Sequence, residues 1–557
     1  MSYRYDPTAF RDVFERHLTF LGGFWRNTHR YAERLALYDT QHGRGWTYAE
    51  LGADVARAAE GLAARGVRPG DVVTFQLFNG YEFALLYLAA QHLGAIASPI
   101  NFRFSPGETA HVLNDSLPRV YVYDESLAAM AGEALTLAGH RPDAVVVVPA
   151  DPAAGTGGGV GIGVAADATP FGALLSAGSR PEPYQGATTW DETVRLYTSG
   201  TTGMPKGVSL PSLAEVLTAH DVIMHFPLEP QDKTLNMTPW FHRGGISPGG
   251  PNAVFYAGAA AVTMRGFDAE RCLDMVAEHG LTFLIGAPTN LAMLTAAQEH
   301  AGRDLSSLRG IVTMGAPLER SACLRYQSVL TPRIFNGYGT TEAFWNTFLR
   351  PADLPEHAGS AGRACTDDDV AVVRVYEDRL ADPADTVAKD GTETGEVIMR
   401  SVKSGYSYVN AAGEQAARFK DGWLYSGDLA TWDAQEYVTI VGRKDDMIIS
   451  GGENVHPVQV EEVLNEHPLV ADSIVVGLTD ERWGEVVVAY VVPAGAGLTA
   501  AECDKHCLAH PMLADFKRPR RYRFVDELPR TATGKKMHYR IRQRLADPAE
   551  VALLDRP

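Results

Sequence analysis

Cysteine is scarce in this chain and unpaired in its spacing. Cys272, Cys323, Cys365, Cys503 and Cys507 are the full set in 557 residues, and none sits in a CxxC pair. An odd count without paired spacing excludes a disulfide framework and fits a reducing compartment. Cys503, His506 and Cys507 share helical spacing, but a structural zinc site takes four ligands and no fourth follows nearby, so no zinc is expected. Long apolar runs are missing too. No uncharged stretch of about 18 residues reads as a membrane span, the opening MSYRYDPTAFRDVFERH is charged from the start, unlike a signal peptide, and the closing DRP carries no lipidation or peroxisomal address. Cytoplasm is the expected location, without a membrane partner. Basic residues are the third shortage: 50 Lys and Arg against 68 Asp and Glu leave a formal charge of −18. Nucleic-acid binders show the opposite, a basic footprint that releases phosphate counterions. A small-molecule partner is expected instead, with a homodimer as a common outcome for soluble enzymes.

What is present is ordinary globular composition, 45% hydrophobic and 21% charged, at a length that suits about three or four folding units. The apolar VVTFQLF, a turn at Asn79 and Gly80, the apolar-rich EFALLYLAAQHLG and the apolar AIASPI read as strand, helix and strand. The same alternation recurs through YVYD, DAVVVVPA, the helix near Arg271 to His279, LTFLIG, the helix after Pro288 and GIVTMG. Repeated βαβ units imply an α/β fold with a largely parallel, doubly wound sheet that binds ligands at the carboxyl ends of its strands. After Tyr437 the pattern changes to strand, charged turn, strand and glycine turn, followed by a compact α+β arrangement. A boundary falls at that charged turn, giving an N-terminal core of residues 1–442, a hinge at 443–446 and a C-terminal domain of residues 447–557. The glycine-rich stretch 155–170 is not a dinucleotide fingerprint, because its nearest match, GIGVAA, opens no helix.

The strongest motif is YTSGTTGMPKG at 197–207. Its hydroxyls and glycines form a loop whose backbone N–H groups can wrap phosphate oxygens, with Lys206 adding positive charge. It is not the ordinary P-loop, since Pro205 stands before Lys206 and Gly207 after it. The run resembles the signature of the adenylate-forming superfamily, which contains acyl-CoA synthetases, peptide-synthetase adenylation domains and firefly luciferase. NGYGTTE (336–342), YSGDLA (425–430), GRKDDMIISGGENVHP (442–457) and LPRTATGKK (528–536) resemble that family's later motifs in the right order. The resemblance covers about residues 30 to 540. It implies a large N-terminal domain of doubly wound sheets plus a distorted β-barrel, and a small mobile α+β C-terminal domain. It also implies ATP, Mg²⁺ and coenzyme A as co-substrates and metal.

A carboxylate is a poor acylating agent, and its attack on the α-phosphorus of ATP gives an acyl adenylate with a good leaving group. Both reactants are anions, so catalysis is chiefly charge neutralisation and in-line positioning. The resemblance implies that Thr198, Ser199, Gly200, Thr201, Thr202 and Lys206 hold phosphate, and that Gly315 in MGAPL lies on the adenine side. In the NGYGTTE motif it implies that Tyr338 stacks on adenine and Asn336 faces the base's polar edge, with Gly337, Gly339 and Thr340 in the same nucleotide-binding turn. The resemblance further implies that Thr341 touches phosphate and that Glu342 helps to hold Mg²⁺, a hard cation that prefers oxygen. Asp428 resembles the acid that accepts the ribose hydroxyls, and Arg443 the ribose-side arginine. Lys535 resembles the catalytic lysine that bridges carboxylate and α-phosphate, with Lys536 its structural neighbour. Asp445 matches the hinge about which the small domain swings to exchange adenylation for thioester formation.

For the thiol acceptor, Gly451 and Gly452 resemble pantetheine-tunnel glycines, while Trp483, Phe516, Arg518 and Arg520 resemble the CoA-contacting parts of aryl-CoA ligases such as the 4-chlorobenzoate enzyme. Trp483 could equally belong to the small domain's core. His242 in TPWFHRGG resembles the residue that closes over the carboxylate. Arg243 departs from the apolar residue expected there, and either pairs with a second polar group on the substrate or makes a salt bridge with a nearby acid. The reading is an AMP-forming ligase joining a hydrophobic, aromatic or cyclic acid to CoA. Its alternatives are carrier-protein loading, nitrite activation for diazotisation, and a catalytically silent nucleotide-binding regulatory module, against which the intact Lys206, Glu342 and Lys535 argue.

Overall fold

The computed structural model describes the chain except for residues 1–7, 151–164, 166, 177–181, 200–203, 377–378, 405–406, 451–452, 481–482, 511–512, 514 and 531–533. Among the described residues the strands form four sheets. The strand Val72–Gln76, rich in β-branched residues and buried throughout, leads through the Asn79 and Gly80 turn into the helix Tyr81–His92. That helix is buried on nearly every face, so it has no amphipathic stripe and can only lie between layers. Its first backbone N–H, on Tyr81, donates to Asp39 Oδ2 at 2.8 Å, which caps the helix from a different sheet. Each of the fully buried Leu85, Leu86 and Leu88 contributes about 1.5–3 kcal/mol through burial. They belong to the largest core cluster, which packs the helices Phe20–Arg30, Tyr48–Ala64 and Tyr81–His92 against two sheets.

One of those sheets has eight strands and runs parallel from Thr169–Pro170 to Glu192–Ser199, with an antiparallel edge made by Pro205–Pro211 and Ser407–Tyr408. The other has nine and is parallel through its centre, including Phe283–Gly286, Gly310–Met314 and Ile334–Thr340. The expected strands and helices occur at the expected places, including the helices Ala269–His279 and Pro288–His300. A third sheet of five antiparallel strands stands where the distorted barrel is expected, its hydrogen bonding an open path from Asp368–Val373 to Phe419–Lys420. Past Arg443 the chain makes the short turn Lys444–Asp446 and builds a separate five-stranded sheet centred on the hairpin Val470–Asp480 and Gly484–Pro493. The helices Pro457–Asn465 and Ala500–Ala509 pack on that sheet with a core of their own. Cys503 and Cys507 are buried in this core, and His506 Nε2 donates to the Val463 carbonyl at 2.8 Å. Among the described residues no helix is long and apolar enough to cross a membrane.

Candidate active site

The strands Gly310–Met314 and Ile334–Thr340 are parallel neighbours with Met314 opposite Gly337, so the MGAPL turn and the NGYG motif leave the sheet side by side at its carboxyl edge. Gly315 has φ +87°, a left-handed backbone that favours glycine. At Gly339, beside a bulge in the pairing with Phe344–Leu349, an added Cβ would lie 1.5 Å from the Phe344 carbonyl oxygen, so no side chain fits. A cavity of about 340 Å³ opens over these turns, lined by Gly315, Asn336, Tyr338, Asp428, Arg443 and Lys535 among others. That volume lies within the ordinary range for small-molecule and cofactor sites.

Asp428 and Arg443 face each other across the antiparallel strands Trp423–Trp432 and Val438–Arg443. Arg443 Nη1 donates to Asp428 Oδ1 at 2.6 Å, and Tyr338 Oη donates to Oδ2 at 2.8 Å. Each carboxylate oxygen is thus held toward the cavity, with lone pairs suited to a ribose diol. Asn336 is buried and its amide donates to the Ser360 carbonyl at 3.2 Å. The YTSGTTGMPKG run is the tip of the hairpin Glu192–Ser199 and Pro205–Pro211, with Thr198 opposite Lys206. Gly200, Thr201 and Thr202, and the side chain of Ser199, lie outside the described residues. Lys206 Nζ is 2.6 Å from Glu414 Oε1. Thr340 Oγ1 accepts from the Ala343 N–H at 3.3 Å, and the Thr341 carbonyl faces inward to Arg243.

Glu342 is buried. Tyr408 Oη donates to its Oε1, and Arg418 Nη1 stands 3.8 Å away. A buried carboxylate fits magnesium by donor chemistry, and Glu342 is the residue that would hold it if the ion binds.

Lys535 reaches the cavity from the end of the chain, its Cε 3.9 Å from where a Cβ on Gly315 would be. The residue as a whole is exposed, yet the protein packed around its ammonium lowers its pKa below the ordinary lysine value. Burial is the main cause, Arg443 adds to it, and Asp428 and Glu342 oppose it. Lys536 lines the same cavity but is tied to its own lobe, pairing with Glu461 at 2.8 Å and Asp472 at 3.3 Å. His538 also pairs with Glu461, at 2.6 Å. Burial works against ionised Glu461, but Lys536 and His538 hold its pKa down at about 2. Asp445 is exposed in the turn Lys444–Asp446, and its carbonyl accepts from Arg542 at 3.0 Å.

His242 caps the short helix Arg243–Ile246. Burial first, then Lys535 and Arg103, lower its pKa to about 3, so the ring is neutral across the physiological range. The salt-bridge reading of Arg243 needs correction. The guanidinium is buried and donates to the Thr341 carbonyl at 3.1 Å, to Thr218 Oγ1 at 2.9 Å and to the Lys403 carbonyl at 3.0 Å. It therefore holds the backbone of the NGYGTTE loop from behind. No direct ion pair with an acid occurs among the described residues; both terminal nitrogens donate to protein oxygens, while the buried Nε has no hydrogen-bond partner among them.

Of the residues read as CoA contacts, Trp483, Arg518 and Arg520 lie on the small lobe and do not line the cavity. Trp483 is 47% exposed, which removes it from the core and leaves its ring on the surface. Arg518 pairs with Asp504 at 2.6 Å and donates to the Asp515 carbonyl at 3.0 Å, and Arg520 is exposed. Gly451, Gly452 and the side chain of Phe516 lie outside the described residues. Sequence reasoning missed Tyr408, Glu414 and Arg418. They become neighbours of the site because Ser407–Tyr408 pairs with Pro205–Pro211 and the helix Ala412–Arg418 follows directly.

A parallel-sheet core, a nucleotide cleft at its strand ends and a lysine supplied by a small second lobe define the adenylate-forming class. The model of the AMP-binding enzymes matches residues 24–408, and that of the AMP-binding enzyme C-terminal domain matches residues 459–535. The chain belongs to the AMP-binding enzyme family. It is similar to an indoleacetate–CoA ligase of Aromatoleum aromaticum, 35% identical over 513 residues that cover 90% of this chain and 94% of the relative. A 4-chlorobenzoate–CoA ligase of an Arthrobacter species is 31% identical over 539 residues, 93% of this chain and 94% of the relative. Among solved structures, the anthranilate CoA ligase AuaEII in complex with anthranoyl-AMP superposes with a TM-score of 0.83 at 26% identity, covering 96% of this chain and 98% of that one.

Proposed function

We propose that this protein is an AMP-forming ligase that adenylates a hydrophobic, aromatic or cyclic carboxylic acid and transfers the acyl group to CoA. The observation that carries the reading is the meeting, in one cavity, of Lys535 from the small lobe with Gly315, Tyr338 and Asp428 from the large one. The acid class is supported by a run of aromatic rings that ends at His242. Phe78 lies 4.3 Å from Phe102, Phe102 5.1 Å from Phe241, and Phe241 4.3 Å from His242. The similarity to ligases named for indoleacetate, 4-chlorobenzoate and anthranilate agrees with it. The nitrite and silent-module alternatives draw no support from those relatives.

In this reading Asp428 takes the ribose hydroxyls, Tyr338 flanks the base, and Lys206 with the hairpin tip faces the phosphates. Magnesium held at Glu342 would neutralise phosphate charge. A carboxylate oxygen attacks the α-phosphorus, the bond from that phosphorus to the bridging oxygen breaks, and pyrophosphate leaves with the electron pair. The Lys535 ammonium lies between the two anions and offsets their repulsion. Neutral His242 covers the carboxylate without adding charge. The small lobe, residues 447–557, then turns about Asp445 in the segment 443–446, withdraws Lys535 and presents Trp483, Phe516, Arg518 and Arg520 to CoA along the Gly451–Gly452 turn.

A panel of indole-3-acetate, 4-chlorobenzoate, anthranilate, hexanoate and dodecanoate, assayed for pyrophosphate with and without CoA, tests the reading. Pyrophosphate release and a CoA thioester by mass spectrometry are expected with at least one ring-bearing acid. An adenylate that accumulates and ignores CoA would assign a different acceptor.

The pH dependence follows from Lys535. Its charged form is the working form, and its pKa in the free enzyme lies below the ordinary lysine value. The rate of adenylation at low substrate should therefore fall as pH rises, with a midpoint below about 10.4. Lys535→Arg should remove that limb, because a guanidinium stays charged. A wild-type profile that stays level up to the ordinary lysine range would refute the assignment.

A further inference from the structure

The helix Ala412–Arg418 carries two charged side chains, each of which engages a group assigned to the phosphate end of the cleft. Glu414 Oε1 is 2.6 Å from Lys206 Nζ, on the phosphate hairpin. Arg418 stands 3.8 Å from Glu342 Oε1 and donates to Tyr408 Oη at 3.5 Å. Its other terminal nitrogen lies 3.7 Å from where a Cβ on Gly427 would be, directly before the ribose acid Asp428. Arg418 thus occupies the interval between the metal carboxylate and the ribose carboxylate, where the phosphates of a nucleotide held by Asp428 must run. Among the described residues none of its polar contacts is tight: 3.8 Å to a carboxylate and 3.5 Å to a phenol are long for a guanidinium that has found its permanent partner.

We infer that Arg418 is a phosphate-binding catalytic residue, and that Arg418 and Lys206 are paired with Glu342 and Glu414 only until a nucleotide arrives. This rests on the adenylating reading of the same site. With nucleotide bound, Glu342 would hold magnesium and the two cations would face the phosphates, so each carboxylate would exchange its partner or return to solvent. The cleft then holds its positive groups in place beforehand without leaving bare charges in a partly buried site. Arg418 presents a planar fork that matches two phosphate oxygens at once, and it faces the pyrophosphate that departs with the additional negative charge.

The exchange predicts changes of opposite sign, read without knowing the acid. Calorimetric binding of magnesium pyrophosphate should weaken about tenfold in Arg418→Met, with partial recovery in Arg418→Lys. In Glu414→Gln it should tighten by roughly threefold, since the carboxylate that competes for Lys206 is gone. Adenosine, which needs only the base and ribose contacts, should bind all three variants as it binds the parent protein. Equal loss of adenosine and pyrophosphate binding in Arg418→Met would make Arg418 a structural support and overturn the inference. So would unchanged pyrophosphate binding in that variant, or weaker binding in Glu414→Gln. Because these are binding measurements on the free protein, they are separate from the acid panel. A panel with no turnover would count against the ligase reading and leave the phosphate assignment to be judged on its own data.

Discussion

Lys535→Ala is expected to slow acyl adenylate formation roughly a thousandfold while thioester formation from supplied adenylate stays within about threefold of the parent enzyme. The asymmetry follows from where the charge is needed. In the proposed first half-reaction two anions meet, and the ammonium beside Gly315 is the positive group that the small lobe brings to the cavity. In the second, a neutral acyl carbon meets a thiol and AMP leaves, with no like-charge encounter for Lys535 to relieve. Quenched-flow measurement of pyrophosphate for one step, and of thioester from a synthetic adenylate for the other, separates them. Equal losses in both half-reactions would show that one lobe arrangement serves both steps. Lys536→Ala provides the contrast. Its ammonium is bound to Glu461 and Asp472, so it should reduce stability more than it changes the ratio of the two rates.

Lys403→Met is expected to lower stability by about 3–5 kcal/mol, the usual result of removing one partner from a buried ion pair. Lys403 Nζ lies 3.0 Å from Asp221 Oδ2 and 2.8 Å from Asp368 Oδ2, and all three side chains are at most 2% exposed. His225 and Cys365 lie beside Asp221 in the same buried group, and the Lys403 ammonium supplies its positive charge. Burial pushes both aspartate carboxyls above their ordinary pKa, and Lys403 opposes that shift. Without the lysine the two acids are buried charges with no cation between them. The loss should be largest at neutral and alkaline pH and shrink as pH falls through their raised pKa values, because protonation removes the charge. Denaturant midpoints across pH measure this. The triple variant Asp221→Asn, Asp368→Asn, Lys403→Met should recover most of the loss, and its failure to do so would mean that packing dominates over charge.

The parts of the fold that could be read from the sequence were those set by local pattern. Val72–Gln76 and the helix after it announce themselves by a run of apolar residues broken at Asn79 and Gly80, and the charged turn at Lys444–Asp446 stands out between two apolar stretches. The glycine-rich site turns are legible for the same reason: Gly339 is required by a carbonyl only a few residues away. Arg243 was not legible, since its partners Thr218, Thr341 and Lys403 come from three distant segments that only the packed sheets bring together. Tyr408 and Arg418 were hidden likewise. Nothing in their neighbourhood resembles a motif, and their nearness to Glu342 depends on a two-residue strand joining the edge of a sheet.

The Lys536 anchorage has a mechanical side. Glu461, Asp472, His538 and Arg530 grip the chain on both flanks of Lys535, and Arg530 also bonds the Gly534 carbonyl. The reactive ammonium is therefore bolted to its lobe like a tooth on a cam. In the proposed turn of the lobe, the tooth's timing is that of the lobe itself, because the ties at Gly534 and Lys536 carry Lys535 with it.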